Sequence, residues 1–463
     1  MKVAIIGCGF SGTMTAVHLI KNAALPFELI LIDKRESFNK GIAYHPNSKI
    51  QLLNVIASRM SAFHDQPAHF LNWVAMLDEF SAVPRDILAN TFLPRYLYGQ
   101  YLTEIWEEAV RSSNARKIQI TIKDAMVIDM EVDDHQINLM LDNDEKLNVQ
   151  YCVIASGNLI PRNPSIQNDH FFNSSHYFRN PWGSNAAKNP DPKTPVLILG
   201  NGLTMADTVL SMVENGFKSK IYTISPHGYN ILPHKHHDVG YSSIAEELQG
   251  RPTLVEIVRI VNKHIRIARK QGYSPEPVID AIRPLTQKLW SNLSSAEKKM
   301  FMSRMRHLWD NVRHRIPLQV HDKLRQMTKH GNLQQFAGKL LGVTEVNGLV
   351  NVLFYDYAQQ RETGIMVSTV INCTGPETDL MKVENSFLKN CLLNGSIVQD
   401  ELKLGILADP LTFEIYDELH QKQKNIYAIG SLLKGVLWES TAVNELRQQA
   451  ELISKELIYK MQE

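Results

Sequence analysis

The sequence predicts an α/β protein with two Rossmann-like dinucleotide-binding domains and a helical insertion. Three observations lead to this fold class. A glycine turn follows a short apolar run at residues 3–12, and a second turn of the same kind lies at residues 195–207. Between them, residues 161–194 are rich in proline and asparagine, which is typical of a connector between domains.

The first turn has the pattern Gly7-x-Gly9-x-x-Gly12. Val3–Ile6 is continuously apolar, as in a strand buried on both faces, and residues 13–23 carry apolar side chains at helical spacing. In such a strand–turn–helix unit the first glycine allows a tight bend, and the second lets the backbone approach a pyrophosphate. The third lets the helix pack closely on the strand, so that the helix N-terminus points at the phosphates.

The next strand ends in an acid. Residues 27–32 are apolar apart from one glutamate, and Asp33 follows them, 21 positions after Gly12. A dinucleotide-binding fold places an acid at about 20 positions, where it accepts hydrogen bonds from the adenosine ribose. The stretch around Cys8 also fits a lipoprotein signal, but its apolar region has only four residues, where a signal needs about 7–15. We therefore favour a dinucleotide turn over a lipoprotein signal and over a βαβ unit without a ligand.

The second turn has the same form but is less complete. Gly200 and Gly202 follow the apolar run of PVLILGNGLTMAD, and the helix after them begins with Leu203 and Thr204. Ala206 is the small residue expected at the third position. We interpret this turn as the site of a second nucleotide, and a βαβ unit that binds no nucleotide is the alternative.

The strand after the second helix has no acid at its end. Residues 221–224 are followed by Ser225, Pro226 and His227. A carboxylate here would bind a free ribose 2′-hydroxyl and repel a 2′-phosphate, so its absence favours NADP slightly over NAD. The expected arginine is also missing, which leaves Ser225, His227 or Lys218 for that role. Two such folds in one chain predict hydride transfer between a nicotinamide and a flavin.

The composition restricts the class of protein. The net charge of the 463 residues is +1, which favours neither nucleic acid nor a membrane surface as a partner. No apolar run approaches 18 residues, so no membrane span is expected. The four cysteines form no C-x-x-C pair, which argues against a disulfide framework and a zinc knuckle and fits a reducing cytoplasm. No hydrolase or kinase motif occurs.

These motifs resemble those of two-dinucleotide-binding-domain flavoproteins, and among them the bacterial FAD/NAD(P)-binding proteins of the YdhS type. The resemblance covers nearly the whole length and implies FAD in the first domain. It also implies an architecture similar to that of flavin monooxygenases, including amine N-hydroxylases. Besides the two turns, it rests on Ile32–Phe63, Phe92–Leu102, Val153–Asn158, Pro277–Trp290, Leu308–Pro317, Ile371–Asp379 and Ile426–Ala450.

The resemblance implies positions for FAD from its pyrophosphate through its ribose to its flavin, and at the ends of two later strands. In that order the residues are Gly7, Gly9, Phe10, Ser11 and Gly12; Asp33 and Lys34; Gly41, Asn54, Val55, Met60 and Ser61; and Ala155, Ser156, Gly157, Gly430, Ser431 and Ala442. Cys8 and Ser156 stand where Gly and Thr are common, and neither change should abolish binding. No catalytic residue is assigned, because the cofactor carries the difficult chemistry.

The resemblance also implies that the FAD domain is discontinuous. We expect its first part at residues 1–165 and its second at 366–463, with the NAD(P)-binding domain at 190–365 between them. A helical insertion is expected at about 241–330. Within it, the sequence SSAE at 294–297 predicts a capping box that opens a helix.

A histidine-rich stretch follows the second fold. We interpret it as a polar loop near the nicotinamide rather than a metal site, because neighbours in an extended loop point to different sides and the spacing fits no structural zinc pattern. We therefore expect no metal. The residues are His234, His236, His237 and Asp238.

A basic segment at residues 304–315 leaves three interpretations open. It is a solvated helix face, a clamp for an acidic substrate or the NADP phosphate, or a nucleic-acid patch, which the balanced net charge disfavours. Its cationic residues are Arg304, Arg306, His307, Arg313, His314 and Arg315.

Glu439 precedes the helix expected to approach the flavin. We interpret it first as a charge at that helix N-terminus, and otherwise as an acid/base or a hydrogen-bond partner of the flavin. His64, Asp65, Arg95 and Tyr96 have little support as ligands. The sequence predicts an FAD-dependent oxidoreductase reduced by NAD(P)H, and a monooxygenase of an unidentified small molecule. The alternatives are a non-catalytic flavin sensor or assembly partner and, less favoured, an RNA-modifying flavoprotein.

Overall fold

The structure is a computed structural model that describes residues 1–34, 36, 38–44, 50–133, 136–166, 169–183, 191–235 and 240–463. Its strands lie mainly in two large sheets. In chain order the strands are β1 (Lys2–Ile6), β2 (Glu28–Asp33), β3 (Gln119–Asp124), β4 (Val127–Asp133), β5 (Gln136–Leu141), β6 (Lys146–Val149), β7 (Tyr151–Ile154), β8 (Tyr177–Phe178), β9 (Val196–Leu199), β10 (Ile221–Ser225), β11 (Leu333–Val346), β12 (Leu349–Asp356), β13 (Arg361–Val367), β14 (Thr369–Asn372), β15 (Glu414–Tyr416) and β16 (Lys422–Ala428).

Helices cover the sheets and form the insertion. They are α1 (Phe10–Asn22), α2 (Gly41–Tyr44), α3 (His69–Ala75), α4 (Arg85–Ala89), α5 (Arg95–Ser113), α6 (Leu203–Glu214), α7 (Ser243–Glu247), α8 (Leu254–Lys270), α9 (Glu276–Ile282), α10 (Thr286–Asn292), α11 (Ser295–Arg304), α12 (Arg306–Arg313), α13 (Leu318–Lys329), α14 (Ser386–Leu393), α15 (Lys434–Leu437) and α16 (Val443–Lys460). None of the described helices is long and apolar enough to cross a membrane.

The first fold is built on a six-stranded sheet in the order β15-β16-β7-β1-β2-β3. All neighbours are parallel except β15 and β16. The strand β1 is buried except for its first residue, as its continuous apolar sequence predicts for a central parallel strand. The crossover from β1 to β2 is α1, which packs between α5 and α16.

This first fold is discontinuous along the chain. The strand β16 pairs with β7, and β7 pairs with β1, so the C-terminal part of the chain completes the N-terminal sheet. The same buried core contains residues from both parts. The predicted architecture of two Rossmann-like folds, the first one split, is therefore confirmed.

The second fold has a seven-stranded sheet in the order β13-β12-β11-β10-β9-β14-β8. The pairs β11–β10, β10–β9 and β9–β14 are parallel, and β12 and β13 extend the sheet from β11 by antiparallel pairing. Two positions differ from the expected division of the chain. The strand β14 lies beyond the expected boundary at 366 yet pairs with β9, and β8 lies inside the expected connector yet pairs with β14.

The helical insertion lies between β10 and α13. Helices α7 to α12 form it, and α13 then leads into β11 beside β10, so α13 is the crossover helix of the second fold. The predicted capping box is present: the Ser294 hydroxyl accepts from the Glu297 N–H, and the Glu297 carboxylate accepts from the Ser294 N–H at 2.9 Å. Thr253 and Glu256 form a second box at the start of α8.

Candidate dinucleotide sites and the cleft between them

The first glycine turn has the geometry that its sequence predicts. Gly7 has a φ of +91°, which L side chains rarely adopt, and a Cβ built on it would overlap the carbonyl oxygen of Ala155. The Gly7 N–H donates to the Ile32 carbonyl at 2.9 Å, which fixes the turn against β2. Glycine is therefore required at position 7 both by its backbone angle and by its neighbour.

Gly9 and Gly12 have different tasks in this turn. Gly9 is the N-cap of α1, and its carbonyl accepts the first helical bond from Thr13 N–H at 3.0 Å. A Cβ on Gly12 would overlap the Gly7 carbonyl oxygen, so Gly12 lets helix and turn pack in direct contact. The first N–H groups of α1 are left for an anion, as in other helix N-termini that bind phosphate.

Asp33 holds the end of β2 against the turn. Its Oδ2 accepts from the Cys8 N–H at 2.6 Å, and its Oδ1 accepts from the Lys34 N–H at 2.7 Å. The Lys34 Nζ lies 2.7 Å from the Asp142 carboxylate. Cys8 is fully buried, and this burial, with the nearby Asp33 charge, raises the pKa of its thiol well above the usual value. Cys8 is thus a packed turn residue, which fits the dinucleotide interpretation.

The second turn repeats the first. Gly200 has a φ of +103°, its N–H donates to the Ile224 carbonyl at 2.8 Å, and a Cβ on it would overlap the carbonyl oxygen of Cys373. Gly202 is the N-cap of α6 and accepts from the Ala206 N–H at 3.2 Å. A Cβ on Gly202 would meet nothing within 4 Å, so this glycine faces open space.

The third position of the second turn differs from the prediction. Counted from either the turn or the helix start, Met205 and not Ala206 corresponds to Gly12. Met205 is buried in the core of the second fold. A full side chain therefore fits in the second turn at the place where Gly12 tolerates no Cβ in the first.

The first turn and the start of α6, directly after the second turn, line one cleft of about 1630 Å³, larger than the roughly 300–1,000 Å³ of a typical small-molecule pocket. Most of the residues predicted to bind a cofactor line it. They are Gly7, Gly9, Phe10, Ser11, Asp33, Lys34, Gly41, Asn54, Val55, Met60, Ala155, Ser156, Gly157, Leu203, Thr204, Gly430, Ser431 and Ala442.

Four predicted residues do not line the cleft: Gly12, Ser61, Gly200 and Gly202. Gly12 and Gly200 lie against backbone carbonyls behind the two turns, and Gly202 is the N-cap of α6. Ser61 is fully buried, and its hydroxyl donates to the Gln66 carbonyl at 2.6 Å, so it fixes a loop rather than facing a ligand.

The returning strand brings the C-terminal part of the chain to the cleft. After β16, Gly430 turns with a φ of +83°, and its N–H donates to Gln449 Oε1 at 3.1 Å. The Ser431 hydroxyl donates to the Gly157 carbonyl at 2.6 Å, which ties this turn to the end of β7. Ala442 is the N-cap of α16, so a second helix N-terminus meets the cleft beside that of α1.

Unpartnered polar atoms support a ligand at each turn. The Ser156 hydroxyl lines the cleft, is buried, and has no hydrogen-bond partner among the described residues. Both polar atoms of the Asn201 side chain, between the two glycines of the second turn, are also buried without a hydrogen-bond partner among the described residues, although Asn201 does not itself line the cleft. A buried polar group without a partner costs about 1–3 kcal/mol, so a nucleotide that bonds to these atoms would remove a penalty at each turn.

Several polar contacts between described residues join the two folds across the cleft. Arg95 pairs with Asp207 on α6 at 2.9 Å and also donates from Nε to the Leu52 carbonyl at 3.0 Å. The Gln51 amide donates to the Ser211 hydroxyl at 2.9 Å. Burial raises the pKa of Asp207, and the Arg95 charge opposes that effect. The sequence indicates only a packing or ligand role for Arg95, because its partner Asp207 is distant in the chain and lies on the other fold.

A further contact across the cleft involves His234. Its Nε2–H donates to the Asn54 carbonyl at 2.9 Å. Burial, followed by the charge of Arg315, lowers the pKa of His234 to about 4, so this imidazole is neutral near pH 7. His234 is therefore a structural donor across the cleft. The neighbouring His236, His237 and Asp238 lie outside the described residues, and the described part of the chain has no cluster of three metal-ligating side chains.

The basic segment divides into two parts. Arg304 and Arg306 are exposed, as expected for a solvated face. Arg315 is only 4% exposed and pairs with Glu276 at 3.0 Å and with Asp280. The solvated interpretation is therefore wrong for Arg315. Because Arg315 is already neutralised, it is also unavailable to a nucleic acid.

Glu439 faces the insertion rather than the helix that follows it. Its Oε2 lies 3.3 Å from Arg313 Nη2, and its Oε1 accepts from Trp309 Nε1 at 3.2 Å. The acidic residue in the first turn of α16 is Glu445, so the interpretation of Glu439 as a helix-end charge is wrong. Arg313 lines the cleft beside Arg283, whose Nε lies 3.5 Å from Glu445, and sequence reasoning had no local pattern to identify Arg283.

Comparisons with known proteins agree with this geometry. Residues 4–159 match a family model described as FAD-NAD(P)-binding. No curated protein matches the chain. Among solved structures, an ornithine N-hydroxylase of Kutzneria sp. 744 is 14% identical, with 100% of this chain and 99% of that one covered and a TM-score of 0.65.

Two further structures have the same overall fold. The cadaverine monooxygenase of Erwinia amylovora is 12% identical, covering 98% of this chain and 94% of its own, with a TM-score of 0.65. A bacillithiol disulfide reductase of Staphylococcus aureus is 12% identical, covering 99% and 98%, with a TM-score of 0.56. At these identities the likeness establishes the fold, and it confirms the predicted fold class.

Proposed function

We propose that the chain is an FAD-dependent oxidoreductase that NAD(P)H reduces. The observation that carries this proposal is that the first dinucleotide turn and the start of α6, directly after the second turn, line a single cleft. FAD supplies, when bound, a redox centre that accepts a hydride from a nicotinamide. The task of the protein is then to hold two nucleotides so that their reacting rings meet in the cleft.

FAD is assigned to the first fold, where the match to the FAD-NAD(P)-binding family model lies. The free N–H groups at the start of α1 would bind its pyrophosphate, and Asp33 would accept from its ribose. The Ser156 hydroxyl and the N-terminus of α16 remain for the flavin end. The nicotinamide coenzyme is assigned to the second fold, at Gly202, Leu203 and Thr204.

Within this class we propose a monooxygenase that acts on a small molecule, of the YdhS type that the sequence motifs indicate. Two of the solved structures with the same fold are an ornithine N-hydroxylase and a cadaverine monooxygenase. A disulfide reductase working through its own thiols has less support, because the four cysteines are free and buried and no cysteine is among the described residues that line the cleft. Their free state favours the cytoplasm.

The test is anaerobic reduction. The purified protein is mixed with NADPH or NADH without oxygen, and the flavin absorbance is followed. Loss of the flavin band with either coenzyme is expected. Faster oxygen consumption on addition of a small amine, with formation of an oxygenated product, would identify a monooxygenase.

Two outcomes would contradict the proposal. A protein that carries FAD but whose flavin band neither coenzyme changes would be a flavin-binding sensor or assembly partner. A protein without FAD would remove the assignment of the first fold. Gly216→Ala is the matched control for variants of the turns, since Gly216 has a φ of +87° but nothing within 4 Å of its Cβ position.

A further inference from the structure

The same backbone hydrogen bond occurs in both glycine turns and shows which residues of the two folds correspond. The Gly7 N–H donates to the Ile32 carbonyl at 2.9 Å, and the Gly200 N–H donates to the Ile224 carbonyl at 2.8 Å. The residue after Ile32 is Asp33, so the residue in the corresponding place is Ser225. Residues 225–229 therefore lie where a dinucleotide bound at the second turn presents its adenosine ribose.

Three aromatic rings lie parallel at this place. The His227 and His307 rings are 4.1 Å apart with an interplanar angle of 20°. Tyr229 is 5.5 Å from His227 and 6.0 Å from His307, at angles of 17° and 16°. His227 is exposed and Tyr229 is 38% exposed, so the stack is accessible from solvent and is not core packing.

The stack is held from two sides. Gly228 has a φ of +62°, and a Cβ built on it would come within 2.7 Å of the Ala337 Cβ on β11, so this loop lies directly on the sheet. The Gly228 N–H also donates to the Ser225 hydroxyl at 3.1 Å. His307 arrives separately, from α12 of the helical insertion. The pairing of the two imidazoles thus requires both the second fold and the insertion.

We propose that His227 and His307 together bind the 2′-phosphate of NADPH as a pair of imidazolium groups, so that the choice of NADPH over NADH depends on protons. This inference rests on the proposed function, because it assumes a nicotinamide coenzyme at the second fold. A phosphate dianion offers several acceptor oxygens and two negative charges, which suits two imidazolium groups better than one. NADH offers only a neutral ribose hydroxyl at this place, which carries no charge to pair with them.

The charges around the pair give the sign of the pH dependence. Burial, followed by the like charge of His307, lowers the pKa of His227. On the insertion, Arg304 and Arg306 flank His307, and Asp310 pairs with Arg306 at 3.3 Å. The loop contributes Tyr229, and the facing residue of β11 is the uncharged Ala337. A bound phosphate favours the protonated form of the pair, so protons are taken up on binding and affinity increases as the pH falls toward 6.5.

The experiment measures binding without turnover. Adenosine 2′,5′-bisphosphate and AMP are titrated into the FAD-loaded protein by calorimetry at pH 6.5 and 8.5, in buffers of different ionisation enthalpy. We expect the bisphosphate to bind about tenfold more tightly at pH 6.5, with proton uptake, because charge-assisted bonds to phosphate are lost as the histidines deprotonate. AMP should show no such change. His227→Asn and His307→Asn should each remove most of it, and Tyr229→Phe, which keeps the ring, should not.

The outcomes separate the two proposals. If the bisphosphate binds equally well at both pH values, or if both asparagine variants keep the wild-type pH dependence, the histidine pair does not bind the phosphate, while NAD(P)H reduction of the flavin can still stand. If neither adenosine ligand binds and neither coenzyme reduces the flavin, the second fold takes no nicotinamide coenzyme. The proposed function and this inference then fail together.

Discussion

The two glycine turns share a backbone but differ in how firmly they are built. In each, a glycine with positive φ lies against a backbone carbonyl just after a neighbouring strand, that of Ala155 for Gly7 and that of Cys373 for Gly200. The first turn adds Gly12 in direct contact and an acid that bonds the turn. The second has a buried methionine at the place of Gly12 and a serine at the place of the acid.

This difference is the one expected between a site for a cofactor that stays bound and a site for a coenzyme that exchanges. The first turn fixes many donors in one tight arrangement, which suits a cofactor that stays bound. The second leaves the Asn201 side chain without partners and open space at Gly202, so its interactions are completed only when a ligand arrives. We interpret the looser turn as a site for a coenzyme that must leave after each cycle.

The largest expected effect comes from breaking one turn at a time. Gly7→Ala and Gly200→Ala each place a Cβ against a backbone carbonyl and force a left-handed alanine, which alone costs about 1–2 kcal/mol. The first variant should be purified without FAD. The second should keep FAD and lose reduction by NADPH, measured as anaerobic loss of flavin absorbance.

Gly216→Ala should have only the backbone strain of a left-handed alanine, and should keep both FAD and reduction by NADPH. If Gly7→Ala kept its FAD, or if Gly200→Ala were reduced by NADPH at the wild-type rate, the two turns would not hold separate nucleotides.

A smaller effect is expected from single substitutions at the ends of β2 and β10. Asp33→Asn removes the charge that holds the Cys8 N–H, and should weaken FAD binding about tenfold, since a hydrogen bond to a charged group contributes about 1.5–3 kcal/mol. Ser225→Asp should lower the preference for NADPH over NADH, because a carboxylate repels a 2′-phosphate. The measurements are FAD dissociation by fluorescence and the ratio of the two reduction rates. An unchanged ratio in Ser225→Asp would show that position 225 does not face the ribose.

The smallest expected effect concerns the ion pair between the folds. Arg95→Leu leaves Asp207 without its cation and should lower the free energy of unfolding by about 2 kcal/mol at pH 7. Burial already raises the pKa of Asp207, and removing Arg95 raises it further. A raised folded-state pKa means that the penalty is present above that pKa and disappears as the pH falls through it toward the ordinary carboxyl value near 4.

Denaturant unfolding at pH 7 and pH 5 measures this difference. The variant Asp207→Asn serves as the control, because it has no carboxylate to titrate. A deficit in Arg95→Leu that is as large at pH 5 as at pH 7 would mean that the arginine acts through its packing or through its bond to the Leu52 carbonyl instead.

What the sequence could predict follows from the range of each interaction. Both turns are local, since strand, glycines and helix are continuous in the chain, and the sequence located them within a few residues. The capping box at Ser294 is local in the same way. Asp33 was identified because its distance from Gly12 is fixed by one helix and one strand.

The contacts between distant segments were not predictable in this way. The burial of Arg315 depends on Glu276 and Asp280, which a different helix supplies. Glu439 was assigned to the nearest helix, whereas its partner is Arg313 on the insertion. Ser61 is a predicted flavin contact only through the family resemblance, and in the structure its hydroxyl bonds to its own loop. The third position of the second turn was misplaced by one residue because a small residue was expected where the fold accepts Met205.

The split of the first fold has a consequence for the order of events during synthesis. The strand β1 emerges from the ribosome long before β16 and α16, which complete its sheet and cover α1. The second fold has all of its strands between residues 177 and 372, so every partner it needs is available earlier. Contacts between distant parts of a chain form late, and domains fold as units once their segments are present. The central fold therefore matures while the apolar face of α1 still awaits its cover, and a nascent chain needs protection there longest.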